Sequence, residues 1–160
     1  MGETQLICPP VQDHLTTQVV IVGSGAAGMR TALDLADAGV PTLLVTRGEL
    51  TDSATDWAQG GLAAVWRADD SVNLHVVDTL AAGAGLCDEQ AVRTLVTRAP
   101  GALRRLMADG ASFDTDDAGD IDLHLEGGHH ARRILHAGGD QSGHEVEVAP
   151  VSYTHLTLPT

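Results

Sequence analysis

The chain has 160 residues, of which 43% are hydrophobic and 2% aromatic, and its formal net charge is −13. This length and apolar content suit one ordinary domain. The negative charge argues against nucleic acid and anionic membranes as partners, because both attract basic surfaces. No uninterrupted apolar run reaches the roughly 18–20 residues that a membrane span needs.

The first residues lack the basic region and apolar core of a secretory signal. Cys8 and Cys87 lie far apart and without the spacing of metal ligands. Both observations predict a cytoplasmic protein with reduced thiols. Residues 1–17 have no hydrophobic period and contain Pro9 and Pro10, so we expect a loose leader ahead of the domain.

Residues 18–46 have the pattern of a βαβ unit. Gln18–Val22 is an apolar run that predicts a buried strand, and Ala26–Ala38 predicts a helix that Gly39 ends. Pro41–Thr46 predicts the second strand. The fold class that follows is α/β, with a Rossmann-like start.

The turn between the first strand and the helix carries the G-x-G-x-x-G pattern of dinucleotide-binding proteins. Gly23 makes the tight turn, Gly25 lets the backbone approach a pyrophosphate, and Gly28 lets the helix pack on the strand. The free N–H groups of the helix start attract phosphates. A glycine turn with a purely structural purpose is the alternative. The predicted phosphate-binding residues are Gly23, Ser24, Gly25, Ala26, Ala27 and Gly28.

Residues 47–70 form a connection long enough to be either functional or disordered. Two helices are predicted after it. Ser71 caps the first, which ends near Gly83, and Asp88 caps the second. Pro100 should kink or break the second helix, which resumes as far as Gly110. Their predicted apolar faces are Leu74, Val77, Leu80 and Ala81, and then Val92, Leu95, Val96 and Ala99.

Residues 124–144 hold five of the eight histidines. Their intervals match none of the usual zinc patterns and no cysteine lies among them, so no metal site is predicted. Arg132 and Arg133 stand beside these histidines. Two interpretations stay open here, a cationic pocket for carboxylate or phosphate groups and a polar surface loop.

Several segments together closely resemble the bacterial L-aspartate oxidases, flavoproteins of NAD biosynthesis in the succinate dehydrogenase/fumarate reductase superfamily. The segments are 23–28, 58–64, 78–88, 126–129 and 132–137, and the resemblance runs in order from about Val19 to Val148. It implies a partial FAD-binding domain, with Gln59, Gly60 and Gly61 around the flavin end. By the same resemblance Thr55 and Ala58 belong to the cofactor site.

Three positions bear on the choice among these relatives. Respiratory succinate dehydrogenases carry covalent flavin on a histidine where this chain has Ala54, so FAD should be held non-covalently. They have an apolar residue where this chain has Glu126. A carboxylate there can pair with the α-ammonium of aspartate and repels a dicarboxylate without an amine. Arg47 is assigned to the adenosine side of FAD, since aspartate oxidases resemble this chain in having a basic residue there.

The resemblance implies oxidation of L-aspartate to iminoaspartate, which feeds quinolinate synthesis and suggests a link to quinolinate synthase. Oxygen or fumarate would then accept the electrons. The catalytic arginine and the substrate histidines of the family lie downstream, so no catalytic residue is assigned, and Arg132 and Arg133 are not substitutes. Two alternatives stay open, namely a fumarate reductase or succinate dehydrogenase flavoprotein and a non-catalytic nucleotide-binding fragment.

The last residues look different from the rest. Ser142 should cap a helix, but residues 148–160 have two prolines, no helical period and no family resemblance. We therefore expect a leader at 1–17, a partial FAD-binding domain at 18–147 and a frameshifted or vector-like tail at 148–160. A genuine divergent C-terminus is the alternative. The expected polypeptide is an inactive fragment of the enzyme.

Overall fold

The structure is a computed structural model that describes the backbone of residues 15–157 and the side chains of residues 15–149. Most of the predicted leader, including Cys8, lies outside the described residues. Its last residue, Thr17, donates from its hydroxyl to the Pro41 carbonyl at 2.7 Å. That bond ties the start of the first strand to the start of the second.

Four helices and five short strands make up the described part. In chain order they are β1 (Val19–Val22), α1 (Ala26–Asp37), β2 (Thr42–Val45), β3 (Leu62–Ala63), α2 (Val72–Ala82), α3 (Glu89–Ala108), β4 (Leu123–His124), β5 (Ile134–Leu135) and α4 (Ser142–Thr157). The strands form a two-stranded sheet, β1-β2, and a three-stranded sheet in the order β3-β5-β4.

The predicted βαβ unit is confirmed. β1 and β2 are parallel, with Val19 opposite Thr42, and α1 connects them. Met29 and Leu33 are the buried residues of α1. Gly39, just beyond the helix, has a φ of +69°, a left-handed conformation that glycine adopts without strain. The carboxyl ends of both strands therefore open toward the same edge, where the glycine turn lies.

The second sheet was not predicted from the sequence. β5 pairs antiparallel with β3 on one side and with β4 on the other, so residues 62–63 and 123–124 flank one central strand. The main apolar core lies beside it and includes Ala64, Leu103, Ala111, Phe113, Leu123, Leu135, Ala137 and Ala149. This sheet connects the long loop after β2 to the histidine-rich region.

The two predicted caps are confirmed, but the buried face of α2 was predicted wrongly. The Ser71 hydroxyl accepts from the Leu74 amide, and the Asp88 carboxylate accepts from the Ala91 amide. α2 buries His75, Val76 and Asp78; of the predicted face, Leu74, Val77 and Ala81 are exposed, and only Leu80 packs against a core cluster. α2 turns a different face to the core than predicted because the Asp78 carboxylate accepts a hydrogen bond from the buried Arg133.

α3 differs from its prediction in two respects. It is one continuous helix with Pro100 inside it, so the predicted break is absent. Val96 before the proline and Leu103 after it are both buried, in different clusters, and this packing outweighs the missing N–H. Leu95, predicted to be buried, is 68% exposed.

α4 corrects the prediction for the end of the chain. Helical structure was expected to stop near Glu147, but α4 continues through Pro150 to Thr157. The separate origin of residues 148–160 stays a prediction. Ser142 begins this helix, and its hydroxyl accepts from the Ala137 amide at 3.2 Å. α4 packs mainly on α1 and brings its N-terminus against the loop that follows β2.

Candidate functional site

A cleft of about 550 Å³ lies at the carboxyl ends of β1 and β2. Three backbone segments line it: the glycine turn, the end of β2 and a turn of the long loop. Its lining residues are Val22, Gly23, Ser24, Gly25, Val45, Thr46, Arg47, Asp52, Ser53, Ala54 and Thr55. The structure thus brings the predicted residues 23–25, 47 and 54–55 into one site, at the edge where parallel α/β sheets bind ligands.

The three glycines of the turn have the geometry that the motif requires. Gly23 has a φ of +109°, and its amide donates to the Val45 carbonyl at 2.8 Å. A Cβ on Gly28 would lie 2.0 Å from the Gly23 carbonyl oxygen, so only glycine lets α1 pack here. A Cβ on Gly25 would lie 3.1 Å from Thr55 Oγ1 and would narrow the cleft.

The N-terminus of α1 faces this cleft without a side-chain cap. The Ala26 amide donates to Thr55 Oγ1 at 3.1 Å, and Gly25, the N-cap residue, offers no side chain. Within the described residues, the amides of Ala27 and Gly28 donate to no protein acceptor. Free amides at the positive end of a helix dipole are an anion site. These residues therefore fit the diphosphate of a dinucleotide.

Three further residues complete the cleft. Ser24 is buried, and its hydroxyl lies 3.1 Å from Thr46 Oγ1. Arg47 is exposed at the rim beyond β2. Ala54 lies in the opposite wall and has no nucleophilic atom. Among the described residues, the cleft therefore offers one exposed cation, Arg47, and no group at position 54 that could bond covalently to a ligand.

The Gln-Gly-Gly segment lies outside this cleft. Gln59 lines a shallow depression of about 410 Å³ together with Asp56, Trp57, Asp140, Gln141 and His144. The Ala58 carbonyl accepts from the Gly143 amide at 2.8 Å, which holds the segment against α4. A Cβ on Gly61 would lie 2.3 Å from Ile134 Cγ2 and 2.7 Å from the Leu135 carbonyl oxygen, whereas Gly60 faces open space.

Glu126 and His136 form a pair at the other end of the second sheet. His136 Nε2 lies 2.8 Å from Glu126 Oε1, and their side chains are 14% and 47% exposed. The His136 ring also approaches the His124 ring, with centroids 4.9 Å apart. A Cβ on Gly61 would lie 2.9 Å from His136 Cε1. His136 therefore connects the predicted flavin segment with the predicted substrate carboxylate.

Arg133 is buried and fully engaged. Its Nε and Nη2 donate to the Asp70 carboxylate at 2.8 and 2.7 Å, and its Nη1 donates to Asp78 at 2.7 Å. Its side chain is 0% exposed. The proposed cationic pocket at Arg132 and Arg133 is therefore wrong for Arg133, because two buried aspartates already satisfy its guanidinium.

The neighbouring histidines complete this buried network. Asp78 also accepts from the His130 amide at 3.0 Å. Although burial opposes its charge, the hydrogen bonds from His130 and Arg133 hold the pKa of Asp78 well below its usual range. His75 lies close to His129, and burial together with the Arg133 charge lowers its pKa. Arg132 is exposed and donates only to the Leu123 carbonyl at 3.4 Å.

Within the described part of the chain, no cluster of three or more His, Cys, Asp or Glu side chains could hold a metal ion. No helix of that part is long and apolar enough to cross a membrane.

Four residues that contact or support the predicted site residues were not predicted from the sequence. His136 lies in the histidine-rich stretch and in the 132–137 segment of the resemblance but receives no role from either, and Ser53 and Glu147 belong to no motif. Asp70 lies in an acidic pair that resembles solvated loop. Asp70 and Asp78 stand eight residues apart on either side of a helix start, which was the one sequence signal of this pair. The signal identifies the pair only when the position of Arg133 between the two carboxylates is known.

A family model described as "FAD binding domain" matches residues 18–155. The chain belongs to this family of FAD-binding domains. This match indicates FAD as the cofactor of the domain, and the glycine turn and the α1 N-terminus have a geometry that suits a dinucleotide.

The curated relatives include several L-aspartate oxidases. That of Streptomyces coelicolor is 53% identical over 137 residues, which are 86% of this chain and 24% of the relative. That of Agrobacterium fabrum is 52% identical over 125 residues, 78% of this chain and 24% of the relative. The chain thus spans about a quarter of the length of these relatives.

Solved structures share the fold at lower identity. Mycobacterium smegmatis Sdh1 in complex with UQ1 matches with a TM-score of 0.81 and 30% identity, covering 86% of this chain and 23% of that one. A mutant of E. coli quinol fumarate reductase FrdA matches with a TM-score of 0.82 and 28% identity, covering 88% and 24%.

Proposed function

We propose that this chain is the N-terminal FAD-binding part of an L-aspartate oxidase, which oxidises L-aspartate to iminoaspartate. The observation that carries this proposal is the contrast in identity. The chain is 53% identical to an L-aspartate oxidase but 28–30% identical to fumarate reductase and Sdh1 structures of the same fold. When bound, FAD supplies the acceptor for the hydride that leaves the substrate Cα.

We assign binding of the cofactor diphosphate to the cleft described above. The free amides of Ala27 and Gly28 would receive the phosphates, and Arg47 at the rim would lie on the adenosine side. The Gln59–Gly61 segment would border the flavin end. Because Ala54 has no nucleophile, these contacts would hold FAD without a covalent bond.

We assign orientation of the substrate to Glu126. Its carboxylate is 47% exposed and lies one side chain away from the Gly61 segment, through His136. A carboxylate there attracts the α-ammonium of aspartate and repels dicarboxylates that lack an amine. The residues that would act on the substrate carboxylates and the reacting Cα are not assigned in this chain.

The proposed partners follow from the reaction. L-aspartate is the substrate, and oxygen or fumarate is the electron acceptor. Iminoaspartate is consumed in quinolinate synthesis, so a functional link to quinolinate synthase is part of the proposal. We also propose a cytoplasmic location, in agreement with the free thiol of Cys87.

The test is a chimera in which residues 18–147 of this chain replace the matching segment of the Streptomyces coelicolor relative. We expect the purified chimera to carry FAD, to oxidise aspartate and to release all its flavin on denaturation. Flavin fluorescence that stays on the protein band of a denaturing gel would contradict non-covalent binding. A chimera that loads FAD but oxidises succinate in preference to aspartate would contradict the substrate assignment.

A fumarate reductase or succinate dehydrogenase flavoprotein is the second candidate, and the TM-scores of 0.81 and 0.82 favour it as far as the fold is concerned. Ala54 and Glu126 oppose it. The same chimera discriminates between the two, because the second candidate predicts a preference for a dicarboxylate without an amine and no dependence on the substrate amine.

A further inference from the structure

Glu147 on α4 is the most unusual polar residue of the described chain. Its side chain is completely buried, at 0% exposure, and neither carboxylate oxygen has a hydrogen-bond partner among the described residues. An acid in this state costs stability, commonly by several kcal/mol when it is charged. Such a residue calls for an explanation other than packing.

The surroundings of Glu147 point to one neighbour, the turn at residues 53–56. A Cβ on Gly143, one helical turn earlier on α4, would lie 2.1 Å from the Thr55 carbonyl oxygen. His144 Nδ1 lies 2.7 Å from Asp56 Oδ1. Burial raises the pKa of Glu147, the Ser53 hydroxyl acts against that rise and the charge of Asp56 adds to it. Glu147 therefore lies on the stretch of α4 that packs behind this turn.

The turn itself is held by hydrogen bonds that lead to the phosphate-binding helix. Ser53 Oγ accepts from the amides of Thr55 and Asp56 at 3.0 and 3.4 Å. Thr55 Oγ1 then accepts from the Ala26 amide at the start of α1. Because Ser53 Oγ already accepts two hydrogen bonds, its own hydrogen remains free to donate, and the buried Glu147 carboxyl lacks a donor among the described residues.

We propose that Glu147 is a positioning residue, which holds Ser53 and through it the 53–56 turn in the geometry that forms the outer wall of the FAD diphosphate cleft. The proposal rests on the assignment of that cleft to FAD. It does not depend on the substrate of the complete enzyme.

Two variants separate this role from a purely structural one. Glu147→Gln keeps the shape and one acceptor oxygen, so it should behave like the unsubstituted protein. Glu147→Leu removes a costly buried acid and leaves an apolar side chain of similar size, so the fold should be at least as stable. The turn should nevertheless loosen. Glu145→Gln, on the same helix, is the control, because Glu145 accepts from the Ser112 amide on another side of α4.

The first measurement is amide hydrogen exchange on the 160-residue chain. We expect Glu147→Leu to accelerate exchange at Thr55, Asp56 and Ala26, while Glu147→Gln and the control leave these amides unchanged. Unchanged exchange in Glu147→Leu would overturn the proposal. The proposal would also be overturned if Glu147→Leu failed to fold while Glu147→Gln folded, because the acid would then be needed for the stability of the whole fold.

The second measurement is the FAD affinity of the chimera, read by quenching of flavin fluorescence. Glu147→Leu should weaken binding about threefold to tenfold, as expected for one lost hydrogen bond, and Glu147→Gln should rescue it. Equal affinities in all variants would overturn the proposal. A chimera that binds FAD with this pattern but does not oxidise aspartate would contradict only the proposed function.

Discussion

His136 Nε2 and Glu126 Oε1 are 2.8 Å apart, which places a nearly buried imidazole against the carboxylate assigned to the substrate amine. The histidine also touches the Gly61 backbone, where any side chain would collide with it. A shift of the glycine segment therefore moves His136, and His136 in turn moves the carboxylate. The predicted flavin segment and the predicted substrate residue are therefore linked by direct contacts through His136.

The first prediction concerns Glu126. In the chimera, Glu126→Gln should weaken the use of aspartate by about one to two decades, because a charge-assisted hydrogen bond is worth roughly 1.5–3 kcal/mol. The use of fumarate as acceptor should be unchanged or improved, since fumarate has no amine. Steady-state kinetics with both substrates give the answer. An equal loss for both would show that Glu126 is structural and would remove the main local support for aspartate.

The second prediction concerns His136. His136→Phe keeps a planar ring against Gly61 but removes the hydrogen bond to Glu126. We expect FAD content to stay normal and KM for aspartate to rise severalfold, because the carboxylate loses its fixed orientation. Exposed His130→Phe is the matched control, because His130 contacts Asp78 rather than Glu126. Loss of flavin in His136→Phe would show that the ring supports the fold rather than the carboxylate.

The cofactor end of the site could be predicted from the sequence because its signals are local. One short turn needs glycine at positions 23, 25 and 28, and the pattern is recognisable because an apolar strand precedes it and a helix follows it. The cap residues Ser71 and Asp88 were predicted for the same reason, since a cap depends only on the next three residues.

The rest could not be predicted because it depends on contacts between distant segments. The rotation of α2 follows from Asp78 meeting Arg133, which lies 55 residues away along the chain. The three-stranded sheet consists of two-residue strands, which are too short to show a hydrophobic period. Pro100 looked like a helix end because the burial of Val96 and Leu103 on either side of it is not visible locally.

The third prediction uses the glycines as matched variants. In the chimera, Gly25→Val should abolish FAD binding, because even its Cβ would lie 3.1 Å from Thr55 Oγ1 and its methyl groups would fill the diphosphate cleft. Gly101→Ala on α3 is the control, since a Cβ there meets nothing within 4 Å and no residue of the proposed cofactor site is changed. The ratio of flavin to protein absorbance measures both. A normal ratio in Gly25→Val would mean that the phosphate site has been misassigned.

The fourth prediction concerns acid and the buried Arg133 network. The pKa of both Asp78 and His75 is lowered in the folded chain, so the folded state binds fewer protons than the unfolded state. Stability is therefore complete above the unfolded pKa of each group and decreases as the pH falls, first below about 6.5 for histidine and then below about 4 for aspartate. Urea unfolding at a series of pH values should show both steps.

Two variants test which residue causes each of these two losses of stability. His75→Phe should remove the upper step and leave the lower one. Arg133→Met should cost about 3–5 kcal/mol at neutral pH, because it leaves Asp70 and Asp78 buried without their counter-charge. Stability that is independent of pH between 7 and 5, with His75 intact, would contradict the role given to its burial.

The last prediction concerns the 160-residue chain alone, which we expect neither to oxidise aspartate nor to bind FAD stoichiometrically at micromolar concentration. The cleft has walls only from the glycine turn, the end of β2 and the 52–55 turn. β1 pairs only with β2 among the described residues, and Val22, next to the glycine turn, is 85% exposed. A diphosphate could bind there, but the isoalloxazine and the substrate would face solvent on their remaining sides. Most of the ligand surface that a small-molecule site normally buries would then stay exposed. Fluorescence titration with FAD and peroxide release with aspartate test this directly, with the chimera as positive control. Tight binding with turnover by the chain alone would show that these residues suffice for the whole reaction.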